Sequence, residues 1–142
     1  MKHIILLICI SFFISCRGED KKAENKEKKG VKAKTSIAFD SDMIDIGEVP
    51  EGKQVKIVYK FVNKGPAPLI IYEVKPGCGC TAATWPKIPV KVNQVDSISL
   101  VFDSRKRPGI QNKHIVVFYN SVEKAKVLSF KGLVVSQSLA NN

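Results

Sequence analysis

Apolar and polar residues alternate with a period of two through much of the chain after residue 35. In the clearest run, every second residue is apolar: Val55, Ile57, Tyr59 and Phe61. A later run repeats the pattern with Ile98, Leu100 and Phe102. Successive side chains of a strand point to opposite faces, so each run predicts a strand with one apolar face. Such strands have to cover that face with a second layer, which favours two packed sheets.

Further runs rich in β-forming residues cover residues 37–39, 43–46, 69–74, 115–119 and 127–135. Turn-forming pairs such as Pro108-Gly109 separate the runs, and none has a helical period. Residues 37–39 and 43–46 are two short pieces at the place of the first strand, and with them the β-like runs number about seven. We therefore predict an all-β, immunoglobulin-like β-sandwich over residues 36–137, with a small barrel as the alternative and residues 138–142 as a disordered tail.

Some apolar residues fall on the strand faces opposite the predicted core: Val58, Val62, Ile71, Val116 and Phe118. An exposed apolar patch of this kind is typical of a partner-binding surface. The alternative is that the assignment of faces, or the register, is wrong at these positions.

The first fifteen residues have the composition of an export signal. Lys2 and His3 precede residues 4–14, which are apolar except for Ser11. A helix needs about 20 apolar residues to cross a bilayer core of roughly 30 Å, and this run is shorter. Its length and flanks are typical of a secretory signal peptide, so we predict that residues 1–15 are removed during export.

The tetrapeptide Phe13-Ile14-Ser15-Cys16 follows the apolar run and resembles the lipobox of bacterial lipoproteins. The resemblance implies that Cys16 carries a diacylglyceryl group and an amino-terminal acyl chain such as palmitate, which together anchor a protein stably. The alternatives are an ordinary signal peptide without lipidation, and a buried N-terminal strand with an incidental cysteine. Glu19-Asp20 resembles the acidic pairs that direct some Bacteroidetes lipoproteins to the cell surface. The predicted location is the cell envelope, at the outer membrane, facing the periplasm or the cell surface.

A charged linker separates Cys16 from the predicted sandwich. Residues 17–35 hold eight Lys or Arg and four Asp or Glu, with no aromatic residue. Such a segment buries too little apolar surface to offset its chain entropy, so we assign residues 16–35 to the lipidated cysteine and a disordered tether. The net charge of the whole chain is +10, which favours anionic partners. Export argues against nucleic acid, so anionic lipids and acidic glycans are the candidate classes, and Arg105-Lys106-Arg107 is the basic turn suited to contact them.

The segment Pro76-Gly77-Cys78-Gly79-Cys80-Thr81 is the most specific local motif. With Asn63-Lys64-Gly65 and Pro68-Leu69-Ile70-Ile71 before it, and Trp85-Pro86 and Tyr119-Asn120 after it, the chain resembles the bacterial family called domain of unknown function 1573. The resemblance covers roughly residues 37–135 and implies a PapD- or ASH-type immunoglobulin-like sandwich. It implies no activity. Two departures are Asn93-Gln94, where the family commonly has Pro-Gly, and Pro76-Gly77, where Ser is common before the first cysteine.

Cys78 and Cys80 are the two cysteines that remain free once the signal peptide is removed and Cys16 is lipidated. In an extended strand their Cα atoms would lie about 6.5 Å apart, near the upper limit for a disulfide, and Gly79 allows the backbone to bend. A structural disulfide or two small buried side chains is one hypothesis. The alternatives are a soft-metal site, for example for copper, and thiol–disulfide exchange.

His114 and Trp85 are the accessory candidates near this motif. His114 is the one histidine after residue 3, and we expect it to be a surface or half-buried strand residue unless it joins the cysteines as a ligand. Trp85 either forms an aromatic platform or caps one end of the sandwich. The motifs of common enzyme classes are absent from the sequence, so we expect no enzymatic activity and no resident cofactor.

The resulting hypothesis is a membrane-anchored, non-enzymatic binding or scaffolding module that contacts another envelope protein. The first alternative is a redox or copper-handling protein that uses Cys78 and Cys80. The second alternative is a binder of envelope glycans or anionic lipids.

Overall fold

A computed structural model describes residues 34–136, which contain eight strands joined by loops and turns. The strands are β1 (Ile37–Phe39), β2 (Met43–Pro50), β3 (Gln54–Asn63), β4 (Ile71–Pro76), β5 (Thr81–Thr84), β6 (Val95–Asp103), β7 (Gly109–Tyr119) and β8 (Ala125–Val135). The predicted signal peptide, Cys16, most of the predicted tether and the predicted tail lie outside the described residues. Within that part of the chain, no helix has the length and apolarity needed to cross a bilayer.

The strands form two four-stranded sheets. The first sheet has the order β1-β3-β6-β5, and the second has the order β2-β8-β7-β4. Every neighbouring pair is antiparallel except β2 and β8, which are parallel. The prediction of an all-β immunoglobulin-like sandwich is confirmed. The described residues form eight strands, close to the count of about seven that the sequence predicts.

Two features of the observed strands differ from the predicted runs. Residues 37–39 and 43–46 were predicted as pieces of one strand, but they pair with different sheets and are separate strands. The short strand β5 follows the cysteines directly and has the sequence TAAT. It is too short to show a period of two, and its alanines have little strand preference.

The core lies between the sheets and is formed by the alternating residues of the central strands. Ile57, Tyr59 and Phe61 of β3 are at most 2% exposed, as are Ile98, Leu100 and Phe102 of β6. Phe102 contacts Phe130 of the opposite sheet with ring centroids 5.3 Å apart. The alternation in the sequence therefore marks the inward face of these strands correctly, because both sheets bury one face against the other.

Ile71 is the exception among the five apolar residues that were placed on outward faces. It is buried in the core at 7% exposure. The register of β4 against β7 shifts between Ile71 and Glu73, so the alternation of faces changes at this irregularity. Val58 is 38% exposed and points outward as predicted, and the other three residues (Val62, Val116 and Phe118) are half-buried.

Two buried asparagines organise the end of the sandwich at which the chain enters. Asn63 Oδ1 accepts hydrogen bonds from Thr35 Oγ1 at 2.7 Å and from the Gly65 amide at 3.1 Å. Asn120 Oδ1 accepts from the Ile70 amide at 2.8 Å, and its Nδ2 donates to a neighbouring carbonyl. We name this end the entry end; it comprises residues 34–36, 64–70, 85–94 and 120–124.

Thr35 belongs to the sandwich, which corrects the predicted boundary by one residue. It is 6% exposed, and its amide donates to the Asn120 carbonyl at 2.9 Å. The polar composition of residues 17–35 placed it in the tether, because a single threonine gives no sign that its hydroxyl bonds a residue far along the chain. Gly65 makes room for this contact, since a Cβ atom there would lie 2.1 Å from Thr35 Oγ1.

Asn93 and Gln94, which stand where the family commonly has Pro-Gly, form a turn before β6. Asn93 has a φ of 62°, and asparagine tolerates this left-handed region better than most residues. The Gln94 amide donates to the Lys91 carbonyl at 3.0 Å, and Gln94 Oε1 accepts from the Lys91 amide at 3.0 Å. A hydrogen-bonded turn therefore forms here without Pro-Gly.

Candidate functional site

The two cysteines lie in the turn that carries the chain from the second sheet to the first. We call residues 77–81 the cysteine turn; it follows β4 and leads into β5. Cys78 and Cys80 form a disulfide, and their Cα atoms are 5.3 Å apart. This separation is shorter than the value for an extended strand, because Gly79 and its neighbours form a turn rather than a strand.

Backbone hydrogen bonds fix the cysteine turn at both ends. The Gly77 amide donates to the His114 carbonyl of β7 at 2.9 Å, and the Asp103 amide of β6 donates to the Cys80 carbonyl at 2.9 Å. One end of the turn is thus tied to the second sheet and the other to the first. The disulfide lies at the flank of the sandwich, between two edge strands.

The two sulfur atoms have different surroundings. Cys80 is 5% exposed and belongs to the core, whereas Cys78 is half-buried at its edge. The Thr81 hydroxyl lies 3.7 Å from Cys78 Sγ and 3.8 Å from Cys80 Sγ, within hydrogen-bonding distance of both. An incoming thiol would therefore meet Cys78 first, and attack there would release Cys80 as a thiolate within 3.8 Å of the Thr81 hydroxyl.

The structure does not bring the His114 imidazole to the cysteines. His114 is exposed on β7, and only its carbonyl bonds to the cysteine turn. Residues 34–136 contain no group of three or more His, Cys, Asp or Glu side chains placed to hold a metal ion. The copper hypothesis thus retains at most the two sulfur atoms as ligands among the described residues.

Trp85 is half-buried and packs against the core directly after β5. The Lys87 ammonium lies 3.1 Å from the centroid of its ring, which is a cation–π contact. Its Nε1 atom is buried and donates no hydrogen bond within residues 34–136. Trp85 therefore covers one end of the sandwich, and Lys87 occupies the ring face that a platform would need.

The basic turn at residues 105–107 lies at the opposite end of the sandwich, which we call the far end (residues 51–53 and 104–108). Arg105 Nε donates to Asp103 Oδ2 at 2.8 Å, and the Arg105 amide donates to Asp103 Oδ1 at 3.0 Å. The side-chain hydrogen bond from Arg105 lowers the pKa of Asp103 from its ordinary value. One of the three basic side chains of this turn is thus already paired with a carboxylate.

Strand β4, which leads into the cysteine turn, presents a surface that the sequence pattern does not predict. Tyr72 is 59% exposed, and the Lys75 ammonium lies 5.3 Å from the centroid of the Phe118 ring. Lys75 also pairs with Glu73 at 3.1 Å. Since the register shifts at Tyr72, simple alternation cannot assign this residue to a face, and the surface has no clear signal in the sequence.

Solved structures resemble this sandwich at low sequence identity. A protein of unknown function from Porphyromonas gingivalis W83 superposes with a TM-score of 0.62 and 14% identity, over 78% of this chain and 51% of that chain. This chain thus spans about half of that protein. The ASH/PapD-like domain of human CEP192 gives a TM-score of 0.55 and 10% identity, over 72% and 87% of the two chains. The YadV chaperone gives 0.50 and 16%, over 71% and 52%.

These likenesses show the fold, which is PapD-like. No curated protein is a significant match to the sequence. The family described as protein of unknown function (DUF1573) matches residues 37–134, which include nearly all of the described residues. The chain therefore belongs to the DUF1573 family.

Proposed function

We propose that this chain is an exported, lipid-anchored envelope protein whose sandwich is a non-enzymatic binding module. The export signal and the lipobox-like sequence at Cys16 support the anchor. The observation that carries the binding role is the position of β4 at an edge of the second sheet. The bound group would be an extended segment of another envelope protein.

Strand β4 offers a backbone for such a segment. It pairs with β7 on one side, and no strand of residues 34–136 lies on its other side within the sheet. An edge strand presents unpaired amide and carbonyl groups, and an added strand satisfies them. The six residues Ile71–Pro76 give room for a short antiparallel or parallel partner.

The side chains around β4 supply apolar contacts next to this backbone. Tyr72 is exposed, and the half-buried Phe118 ring lies opposite Glu73, the next residue of β4, with the Lys75 ammonium over it. Exposed tyrosines are frequent energetic centres of protein interfaces, because they bury a large area at a small entropic cost. A partner segment with apolar residues at alternate positions fits this arrangement.

The cysteine turn stabilises the end of this edge. Gly77 extends the pairing of β4 by one hydrogen bond, and the disulfide restrains the three residues that follow it, Cys78–Cys80. A rigid edge loses less conformational freedom when a partner strand is added. In this proposal the cysteines are structural and serve the binding edge.

Site-specific crosslinking tests the binding edge. A photoreactive benzoylphenylalanine in place of Tyr72, in the full chain within its own envelope, is expected to capture one protein of defined mass. The matched control replaces Lys56, an exposed residue of the central strand β3. Equal capture at both positions, or none at Tyr72, would contradict the proposed edge.

Mass analysis tests the anchor independently. The intact mature protein is expected to begin at Cys16 and to carry a diacylglyceryl group and an amino-linked acyl chain. The Cys16→Ser variant should lose both modifications and leave the membrane fraction. A native protein that begins at Met1, or that carries no acyl group, would contradict the anchor but not the binding edge.

A further inference from the structure

The entry end of the sandwich has a distinctive surface. Four large apolar side chains of its loops and the adjoining strand start are exposed: Ile88 (78%), Val122 (70%), Val95 (64%) and Val92 (42%). Three of them come from the β5–β6 connection and the start of β6, and Val122 comes from the β7–β8 connection. These two connections cap different sheets, so the apolar side chains spread across the end rather than along one strand.

Lysines are interspersed with these apolar residues. The loops of the entry end hold Lys34, Lys64, Lys87, Lys91 and Lys124, all exposed, and Glu123 is their one acidic residue. Among the described residues, none of these lysines forms a salt bridge. Lysines without a salt bridge around exposed aliphatic side chains are typical of surfaces that bind anionic bilayers. There the aliphatic side chains enter the interface and the ammonium groups bind head groups.

The point at which the chain enters the sandwich indicates that the ligand of this surface is a membrane. Thr35 is fixed at the entry end through Asn63 and Asn120, so the chain toward Cys16 leaves the sandwich here. Residues 17–34 span at most roughly 60 Å when fully extended. An anchored Cys16 therefore keeps the entry end within that distance of the membrane. The chain leaves residue 136 from the opposite end, since the carbonyl of Val135 bonds the Glu51 amide at the far end.

We propose that the entry end docks directly on an anionic phospholipid surface. This proposal rests on the proposed lipid anchor for its strength, because tethering raises the local concentration of the membrane. Docking inserts Ile88, Val92 and Val122 among the head groups and places the lysines against lipid phosphates. The sandwich then stands with its far end, including the Arg105–Arg107 turn, toward the solvent.

The orientation has a consequence for the binding edge. Strand β4 runs from the entry end, at Ile71, toward the cysteine turn on the flank. In the docked state this flank rises away from the bilayer and stays open to a partner. Docking thus fixes the direction in which the edge is presented.

The test uses the full acylated chain on two kinds of vesicle. One kind contains phosphatidylethanolamine and phosphatidylglycerol in a 7:3 ratio, and the other contains only phosphatidylcholine. A fluorophore is attached to a cysteine introduced by Val122→Cys or, as the matched control, by Lys106→Cys at the far end. Lipids with a head-group nitroxide quench a fluorophore that lies at the membrane surface, and flotation of the vesicles reports membrane attachment.

The expected result is strong quenching at position 122 on the anionic vesicles, and weak quenching at position 106 on both kinds. Ile88→Ser with Val92→Ser, or Lys64→Gln with Lys91→Gln and Lys124→Gln, should lower the quenching at position 122 to the level on neutral vesicles. The control substitution Ile110→Ser, at a residue that is 85% exposed away from the entry end, should leave it unchanged.

The outcomes separate the two proposals. Flotation on both kinds of vesicle with equal quenching at the two positions would overturn docking and leave the anchor intact. Flotation on anionic vesicles alone, with quenching at position 122, would overturn the anchor and support docking. A chain that floats on neither kind would overturn both.

Discussion

The disulfide between Cys78 and Cys80 closes a loop with one residue between the cysteines. A crosslink stabilises a fold mainly by restricting the unfolded chain, and this effect grows with the length of the closed loop. For a loop of about three residues the chain-entropy estimate is roughly 1–2 kcal/mol, against about 3 kcal/mol for fifteen residues. The crosslink therefore shapes the turn more than it stabilises the whole fold.

Reduction of this disulfide should accordingly cost little stability. We expect the free energy of unfolding to fall by roughly 1–2 kcal/mol when the protein is reduced, because the loop is short. Urea unfolding with and without dithiothreitol measures the change, and the Cys78→Ala, Cys80→Ala variant should not respond to the reductant. A reduced protein that is unfolded without urea would show that the crosslink is essential to the fold.

Tyr59 is a residue whose ionisation is linked to folding. Its side chain is 1% exposed, and its hydroxyl donates to the Ser129 carbonyl at 2.6 Å. Burial raises the pKa of Tyr59 to about 12 from an ordinary value of 10.0. The folded protein thus holds the phenol proton more tightly than the unfolded chain does.

The stability of the protein should therefore fall in alkali. The contribution of the protonated Tyr59 is complete below pH 10 and is lost as the pH rises toward 12, by roughly 2–3 kcal/mol. Urea unfolding at pH 9 and pH 11.5 measures this loss, which should be smaller in Tyr59→Phe. Tyr72→Phe, at an exposed tyrosine, is the matched control, and an equal effect of both variants would contradict the assignment to Tyr59.

At the scale of elements, the Asn-x-Gly motif after β3 has a structural explanation. The side-chain Nδ2 of Asn63 donates hydrogen bonds to the carbonyls of Ala67 and Val90 at 2.8 and 3.0 Å. Its oxygen accepts from Thr35 and Gly65, so one buried side chain joins the chain entry and two loops. The Asn63-Lys64-Gly65 motif, which is part of the resemblance to the family, thus supports the entry end through polar contacts.

Asn63→Asp should destabilise the protein strongly. An ionised aspartate can accept the two hydrogen bonds that Asn63 accepts, but it repels the two carbonyl oxygens that now lack a donor. We expect the free energy of unfolding to fall by roughly 2–4 kcal/mol, since buried polar groups are left unpaired. Urea unfolding is the measurement, Asn112→Asp at an exposed position of β7 is the control, and a loss below 1 kcal/mol would refute the role of Asn63 as a junction.

Strands with a clean period of two could be predicted from the sequence together with their inward faces, whereas the short strand β5 and the faces of β4 could not. The residues of β3 and β6 alternate because each strand has one face in the core, and this constraint acts on every second residue. Strand β5 has four residues, and the faces of β4 change at a shift in register, so local pattern carries little information there. The candidate binding edge lies in that less predictable part of the fold.

At the scale of the whole molecule, the first and last parts of the domain meet in the parallel pairing of β2 with β8. The bulge between Asp45 and Glu48 of β2 lies against Gly132 of β8. A Cβ atom at position 132 would lie 2.4 Å from Ile46 Cγ1 and 2.8 Å from the Gly47 carbonyl oxygen. The close approach of two distant segments thus requires a glycine.

Gly132→Ala should therefore loosen β2 rather than the core as a whole. We expect a loss of roughly 1–3 kcal/mol in the free energy of unfolding, because the added methyl group displaces backbone. Hydrogen exchange should show faster exchange of amides in Met43–Pro50. Gly79→Ala is the matched control, since nothing lies within 4 Å of a Cβ atom there, and an unchanged exchange rate in β2 would contradict the close packing.

The sequence by itself determined the two-layer β architecture, the inward faces of the central strands and the family, because alternation and turn residues act over a few neighbouring positions. The tertiary structure decided which strands form the edges, that Thr35 belongs to the domain, and that the Cys78–Cys80 turn lies beside β4. It also gathered the lysines and exposed aliphatic residues of separate loops at the end where the chain enters. These features depend on contacts between residues far apart in the chain, and no local pattern records such contacts.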